Sequence, residues 1–190
     1  MSTTAKPSQT PQSAPKGAAT QRTKIPPLEN GDRLTRDEFE RRYNAMPNVK
    51  KAELIEGVVY TPSPVSQSHS EPHFSIIGWL AAYKSASPGT VGGDSGTIRL
   101  DQDNEIQPDA FLFVLPTHGG HVRKTDDDYL EGAPELVVEI SNSSVSIDLN
   151  AKMNAYRRNG VREYIVWRVA SEEHKAFVAE LQKKAAPKAG

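Results

Sequence analysis

Residues 107–114 read Gln-Pro-Asp-Ala-Phe-Leu-Phe-Val, and residues 135–141 read Glu-Leu-Val-Val-Glu-Ile-Ser. Each stretch contains a short apolar run, which is typical of strands in a protein core. Each also carries a carboxylate, because Asp109 opens the first run and Glu139 lies inside the second. An unpaired charge in a buried strand is costly, so the positions of these two acids need an explanation.

The flanking sequence predicts further strands. Residues 52–60 have strand composition interrupted by Glu56-Gly57, which predicts a tight turn or bulge. Residues 97–101 alternate between polar and apolar side chains, and turn-forming residues follow them. Residues 164–167 form another short apolar run.

Helices are predicted between these strands. The first follows Thr35 and places Phe39, Tyr43 and Met46 on one face. The second begins with Ser70 as N-cap and has Pro72 in its first turn. Its inward stripe is predicted to consist of Phe74, Ile77, Leu80 and Tyr83. The third begins with Asp148 as N-cap and ends before Gly160, a residue that commonly stops helices.

This order of elements favours an α/β or α+β sandwich over a repeat protein. A length of 190 residues favours one domain with appendages. We predict a disordered tail rich in Pro, Ser, Thr and Ala at 1–30, a domain at 31–169, and an atypical C-terminal helix and tail at 170–190.

Composition limits the classes of function. The formal net charge of −1 argues against a nucleic-acid coat protein, whose surface is usually strongly basic. The absence of cysteine excludes disulfides and thiolate metal sites. No apolar run approaches the length needed to span a bilayer, and no signal peptide is recognisable. We therefore expect a soluble cytoplasmic protein without a membrane partner.

Asp109 and Glu139 are candidate metal ligands. Mg²⁺ prefers carboxylate oxygens, water and an occasional backbone carbonyl, and the carbonyl of Ile140 would complete the protein's share. Such an ion would polarise a scissile phosphate and activate a water molecule. The alternatives are that Asp109 is only a turn residue after proline and that Glu139 points to solvent. The pattern alone does not decide between the two readings.

Lys152 is the candidate ammonium of the same site. It lies one turn after Asp148, near the start of the predicted helix, where the helix dipole disfavours a cation. The alternative is an ordinary surface pair of Asp148 and Lys152, worth a few tenths of a kcal/mol.

Two other groups of residues are weaker candidates. His69 and His73 are four residues apart, but Pro72 argues against the regular helix that a zinc pair would need. Arg157, Arg158 and Arg162 form a basic cluster that would either contact a DNA backbone or remain solvated.

Several segments, taken in order, resemble the Uma-type family of putative restriction endonucleases, which has the PD-(D/E)XK nuclease-like fold. The resemblance covers roughly residues 34–168 and is carried by these segments: 35–39, 52–57, Ser63-Pro64, His69, 107–110, 135–141, 148–152, and Tyr156 through 160–167. It implies a restriction endonuclease-like core, a mixed sheet flanked by helices with a metal site on the central strands.

The resemblance also implies roles for individual residues. Asp109 and Glu139 match the two metal-binding acids, with Mg²⁺ or Mn²⁺ as cofactor. The usual motif has lysine at position 141, where this chain has Ser141, and the family's displaced lysine corresponds to Lys152. Glu53, Glu56 and His69 match family positions near the site.

The implied function is a metal-dependent endonuclease that hydrolyses DNA phosphodiester bonds. Because Ser141 stands in the usual lysine position, and because the chain beyond Trp167 departs from the family pattern, a non-catalytic nuclease-like binding or partner module is the alternative. The fold often works in pairs, so a homodimer and a monomer both remain open.

Overall fold

The computed structural model describes residues 24–142 and 144–169. The C-terminal helix predicted at 170–190 lies outside the described residues, as does most of the tail predicted at 1–30. Within that tail, Leu28 is described and is buried beside Phe39 and Leu54. Packed structure therefore begins before residue 30.

The described elements follow one another along the chain as α1 (Arg36–Asn44), β1 (Glu53–Ile55), β2 (Val58–Tyr60), α2 (Gln67–Ala86), β3 (Thr90–Gly93), β4 (Ile98–Asp101), β5 (Asn104–Ile106), β6 (Ala110–Val114), a 3₁₀ turn (Pro116–His118), β7 (Arg123–Lys124), β8 (Leu130–Glu131), β9 (Leu136–Ser141), α3 (Val145–Ile147), a π-helical stretch (Asp148–Lys152), α4 (Met153–Asn159) and β10 (Glu163–Arg168). No helix among the described residues combines the length and the apolar character needed to cross a bilayer.

The strands form two mixed sheets. One has the order β10-β9-β6-β3, in which β9 and β10 are parallel and the other neighbours are antiparallel. The other has the order β2-β1-β5-β4-β8-β7, with β4 and β8 parallel. The predicted fold class, a mixed sheet flanked by helices, is confirmed, although the strands are divided between two sheets.

The turn predicted between β1 and β2 is present. Glu56 has φ of 51° and Gly57 has φ of 72°, so two consecutive residues adopt the left-handed region that a two-residue hairpin requires. The amide of Glu56 donates to Asn104 Oδ1 at 2.8 Å, which fixes the turn against β5.

The second helix differs from its prediction. It begins at Gln67 with Ser66 as N-cap, so Ser70 and Pro72 both lie inside it. Ile76 and Leu80 are its buried residues, whereas Phe74 and Tyr83 of the predicted inward stripe are exposed. The predicted cap and half of the predicted stripe were therefore wrong.

The third predicted helix also begins earlier. Ser144 is the N-cap and Val145 is the first helical residue, so Asp148 lies inside the segment rather than capping it. The predicted end is correct, because Gly160 has φ of 89° directly after α4. Asp148 and Lys152 are the first and last residues of the π-helical stretch.

Helices cover the two faces of the β10-β9-β6-β3 sheet. Ala110, Leu112 and Val138 pack against Ile76 and Leu80 of α2. Phe111, Phe113 and Val137 point the other way and join a core that includes Tyr156 of α4 and residues of the second sheet. Successive residues of a strand alternate between faces, so Glu139 projects towards α4.

Candidate active site

Asp109 and Glu139 lie on the same face of their sheet. In the antiparallel pair of β6 and β9, Ala110 is opposite Val138 and Phe111 is opposite Val137. Extending this register by one residue places Asp109 opposite Glu139. Directly opposed residues of antiparallel strands share a face, so the two carboxylates project into the same space.

Asp109 is anchored through one of its oxygens. Its Oδ2 accepts a hydrogen bond of 2.8 Å from the amide of Ile140 and lies 3.1 Å from His69 Nε2. His73 Nε2 lies 2.7 Å from the backbone oxygen of the same aspartate. The two histidines therefore tie the start of α2 to the start of β6, and they meet at Asp109.

Glu139 is almost fully buried, with 3% of its surface exposed. Its Oε1 accepts hydrogen bonds of 2.9 Å from Lys152 Nζ and of 2.9 Å from the Tyr156 hydroxyl. All six residues of β9 are buried, so the solvent-facing alternative for Glu139 does not apply.

Lys152 does not form the surface pair considered as its alternative. Its Nζ lies 3.9 Å from Asp148 Oδ1, which is too long for a hydrogen bond, and both residues are buried. It lies instead 3.1 Å from Glu53 Oε1, in addition to its contact with Glu139. The amine is therefore held between two acids from different sheets.

Glu53 was predicted only to lie near the site, and its contact with the Lys152 amine was not predicted. It lies on β1, is 5% exposed, and its Oε1 also accepts a hydrogen bond of 2.8 Å from the amide of Gln107. The signal that singled out Glu139, a charge inside an apolar strand, is present at Glu53 as well.

The floor of the site carries more negative than positive charge. The buried charged residues there are the acids Glu53, Asp109, Glu139 and Asp148 and one lysine, Lys152. Burial raises the pKa of Glu139 to about 7, although Lys152 opposes the shift. Burial would lower the pKa of Lys152, but the neighbouring Glu139 and Glu53 raise it above its ordinary value. Both raised pKa values mean that the cluster holds its protons more tightly, so it favours added positive charge.

The donor set fits a hard divalent cation only in part. Within the described residues no group of three or more acids and histidines could hold a metal by itself. The hydrogen bonds described for Asp109 and Glu139 fall on Oδ2 and on Oε1, which leaves one oxygen of each carboxylate for a cation. Two carboxylates completed by water and substrate oxygens suit Mg²⁺, which gives up its waters reluctantly.

The acids lie at the floor of a cleft of about 860 Å³. Lys50 and Lys51 line one part of it, and Ser66 and Asn142 line another. The predicted arginine cluster is not part of this lining, and Arg158 instead pairs with Glu56 at 2.7 Å.

Comparison with protein families gives a match over most of the chain. The profile of the Uma2 family, described as "Putative restriction endonuclease", matches residues 36–188. The chain belongs to the Uma2 family. No curated protein matches it.

A solved structure shares the fold of this Uma2 chain. It is a protein of Anabaena variabilis described as "a putative nuclease belonging to DUF820". The TM-score is 0.52 at 13% identity, and the match covers 67% of this chain and 72% of the other. At this level of identity the likeness concerns the fold.

One further feature of this Uma2 chain concerns the position where the usual nuclease motif has lysine. Ser141 stands there at the end of β9 and is fully buried. Its hydroxyl donates to Asp148 Oδ2. The amine that reaches Glu139 comes from the π-helical stretch.

Proposed function

We propose that this Uma2 chain is a metal-dependent endonuclease that hydrolyses DNA phosphodiester bonds. One observation carries the proposal: Asp109 and Glu139 share a sheet face, and the amine of Lys152 lies 2.9 Å from Glu139. Two acids can hold a metal ion that assists phosphodiester hydrolysis, and an adjacent ammonium can offset the charge that develops on the phosphate.

In this proposal Asp109, Glu139 and the carbonyl of Ile140 would hold Mg²⁺, with Mn²⁺ as a substitute. The bound ion would polarise the scissile phosphate and lower the pKa of the attacking water. The hydrogen bond from the amide of Ile140 holds Asp109 Oδ2, so the other oxygen keeps a fixed direction.

Lys152 contributes a fixed positive charge. Its raised pKa keeps the amine protonated at neutral pH, so it acts as a hydrogen-bond donor rather than as a base. From its place beside Glu139 the ammonium would orient a water molecule or offset the charge that develops on the phosphate. Lys50 and Lys51 on the cleft wall would contact neighbouring phosphates.

Nicking of a supercoiled plasmid tests the proposal. The full chain should nick DNA with Mg²⁺ or Mn²⁺ and not with EDTA. Asp109→Asn and Glu139→Gln remove charge at nearly constant volume and should lower the rate by about 100-fold or more, as the loss of a transition-state electrostatic contact does. Glu163→Gln, on the exposed start of β10, is the matched control and should nick at the wild-type rate.

The competing function is a non-catalytic binding or partner module. The observation that favours it is the ion pairing of Lys152 with Glu139 and Glu53, which partly neutralises the acids without a metal. Calorimetry with Mn²⁺ separates the two functions. Binding that is lost in Asp109→Asn supports the enzyme, whereas absence of binding together with absence of nicking supports the module. Cytoplasmic location and homodimer formation stay predictions.

A further inference from the structure

The amine of Lys152 reaches Glu139 from an irregular helix. Asp148–Lys152 is π-helical, between the α-helical segments α3 and α4. Such stretches are rare and occur frequently at functional sites. The two ends of this stretch, Asp148 and Lys152, are its buried residues. The stretch therefore sets the direction from which the amine enters the site.

Asp148 fastens this stretch to its surroundings. Its Oδ2 accepts hydrogen bonds from the hydroxyl of Ser141, at the end of β9, and from the hydroxyl of Ser144, the N-cap of α3. Its backbone oxygen accepts a hydrogen bond of 3.0 Å from the Tyr164 hydroxyl of β10. One buried aspartate thus joins two strands to the start of the helix.

The second carboxylate oxygen of Asp148 takes no part in these hydrogen bonds. Oδ1 is buried without a hydrogen-bond partner in the described part of the chain. An unpaired buried carboxylate oxygen costs stability. Its nearest described cation is Lys152 Nζ at 3.9 Å, so it attracts the ammonium without taking one of its hydrogen bonds. The described hydrogen bond of the ammonium goes to Glu139 Oε1, and Glu53 Oε1 lies 3.1 Å from it as an ion-pair partner.

We propose that Asp148, held by Ser141 and Ser144, is the positioning residue that keeps the amine of Lys152 on Glu139. Its effect on the reaction rests on the proposed function, but its effect on the amine does not. The serine in the usual lysine position thereby has a role of its own, because it anchors the aspartate that directs the displaced lysine.

The first measurement concerns the amine alone. An amine-reactive ester is applied to the native full chain, and acylation of each lysine is followed by mass spectrometry. In the wild type Lys152 should react slowly, because it is 5% exposed and paired. In Asp148→Asn, and in the double variant Ser141→Ala with Ser144→Ala, it should react about tenfold faster or more, the scale on which supporting hydrogen bonds act.

Two controls accompany this measurement. The exposed Lys84 of α2 should react equally in all variants and reports equal reagent. Ser85→Ala removes a hydroxyl bonded only to Ala82 of the same helix and should change nothing. If Asp148→Asn does not fold, the serine variants carry the test. Unchanged acylation of Lys152 in folded variants overturns the proposal.

The second measurement concerns the reaction. At saturating Mn²⁺, Asp148→Asn should lower kcat about tenfold or more and leave KM for DNA within about twofold, because in this proposal Asp148 acts on the amine and not on the substrate. A raised KM for DNA with kcat unchanged would overturn the positioning role. If the wild type does not nick DNA while Lys152 still reacts faster in the variants, the positioning stands and the proposed endonuclease fails.

Discussion

At the scale of single residues, Lys152 is the main source of positive charge among the buried acids. It lies between Glu139 at 2.9 Å and Glu53 at 3.1 Å, and all three residues are buried. Removing one partner of a buried ion pair leaves uncompensated charge and typically costs about 3–5 kcal/mol. Lys152→Met should therefore lower the free energy of unfolding at neutral pH by about 3 kcal/mol.

Urea unfolding of both proteins at pH 7 measures this difference. Lys84→Met removes an exposed lysine from α2 and should change the free energy of unfolding by less than about 0.5 kcal/mol. Equal stability of Lys152→Met and wild type would show that the acids are neutral in the native protein. In that case the charge argument for a cation at this site would lose its basis.

The sequence singled out two of the four acids that line this site, Asp109 and Glu139, but not their surroundings. Asp109 was recognisable because it opens an apolar run, and Glu139 because it lies inside one. Whether Glu139 faces solvent was undecidable, since β9 is buried on both faces and alternation gives no direction there. The pairing of Lys152 with Glu53 joins residues far apart in the chain, and local patterns contain no information about such contacts.

At the scale of secondary structure, α2 is attached to the sheet by few residues. Ile76 and Leu80 are buried against Ala110 and Val138, whereas Phe74 is 82% exposed. Leu80→Ala should cost about 2–5 kcal/mol because it leaves a cavity at the sheet. Phe74→Ala removes a larger side chain that contacts mostly solvent and should change stability by less than about 0.5 kcal/mol.

Thermal or urea unfolding of the two variants measures this contrast, and each variant serves as the control for the other. A large loss of stability in Phe74→Ala would mean that its ring is covered in solution.

The narrow contact between α2 and the sheet also explains why half of the predicted inward stripe was wrong. Helical spacing defined a possible apolar face, but the sheet covers only the side of α2 that carries Ile76 and Leu80, and sequence spacing cannot show how wide that contact is.

The predicted strands were more successful than the predicted helix starts. β6 lies within the quoted stretch 107–114 and β9 within the quoted stretch 135–141, as predicted. Strand runs are bounded by abrupt changes in composition. Helix starts are less distinct because several serines and an aspartate near residues 66–70 and 144–148 compete as caps, and tertiary contacts select among them. The selected cap at Ser144 is the one whose hydroxyl also reaches Asp148.

At the scale of the whole molecule, Arg99 joins parts of the chain that are distant in sequence. Its guanidinium makes a bidentate contact with Asp127 at 2.7 and 3.0 Å and bonds Glu40 of α1 at 2.8 Å. Glu105 of β5, 2% exposed, lies 3.5 Å from the same group. Three acids share one arginine there, so one of them is left poorly compensated.

Glu105 is that acid. Burial, together with the neighbouring carboxylate of Glu40, raises its pKa from 4.5 to about 8. Between these two values the native state binds more protons at this position than the unfolded chain does. Stability therefore falls as the pH rises through this window. Glu105→Gln carries no titrating proton at this position. Its free energy of unfolding should therefore fall less than that of the wild type between pH 5 and 8, the window between the two pKa values.

Urea unfolding of both proteins at several pH values tests this, because the other titrating groups are common to both and cancel in the difference. The stability of Glu105→Gln relative to wild type should rise from pH 5 to pH 8. A difference that stays constant over this range would mean that Arg99 compensates Glu105 fully. The cluster around Arg99 would then be a balanced network of ion pairs. Among the two charged clusters compared, only the acids at the cleft floor would carry an excess of buried negative charge.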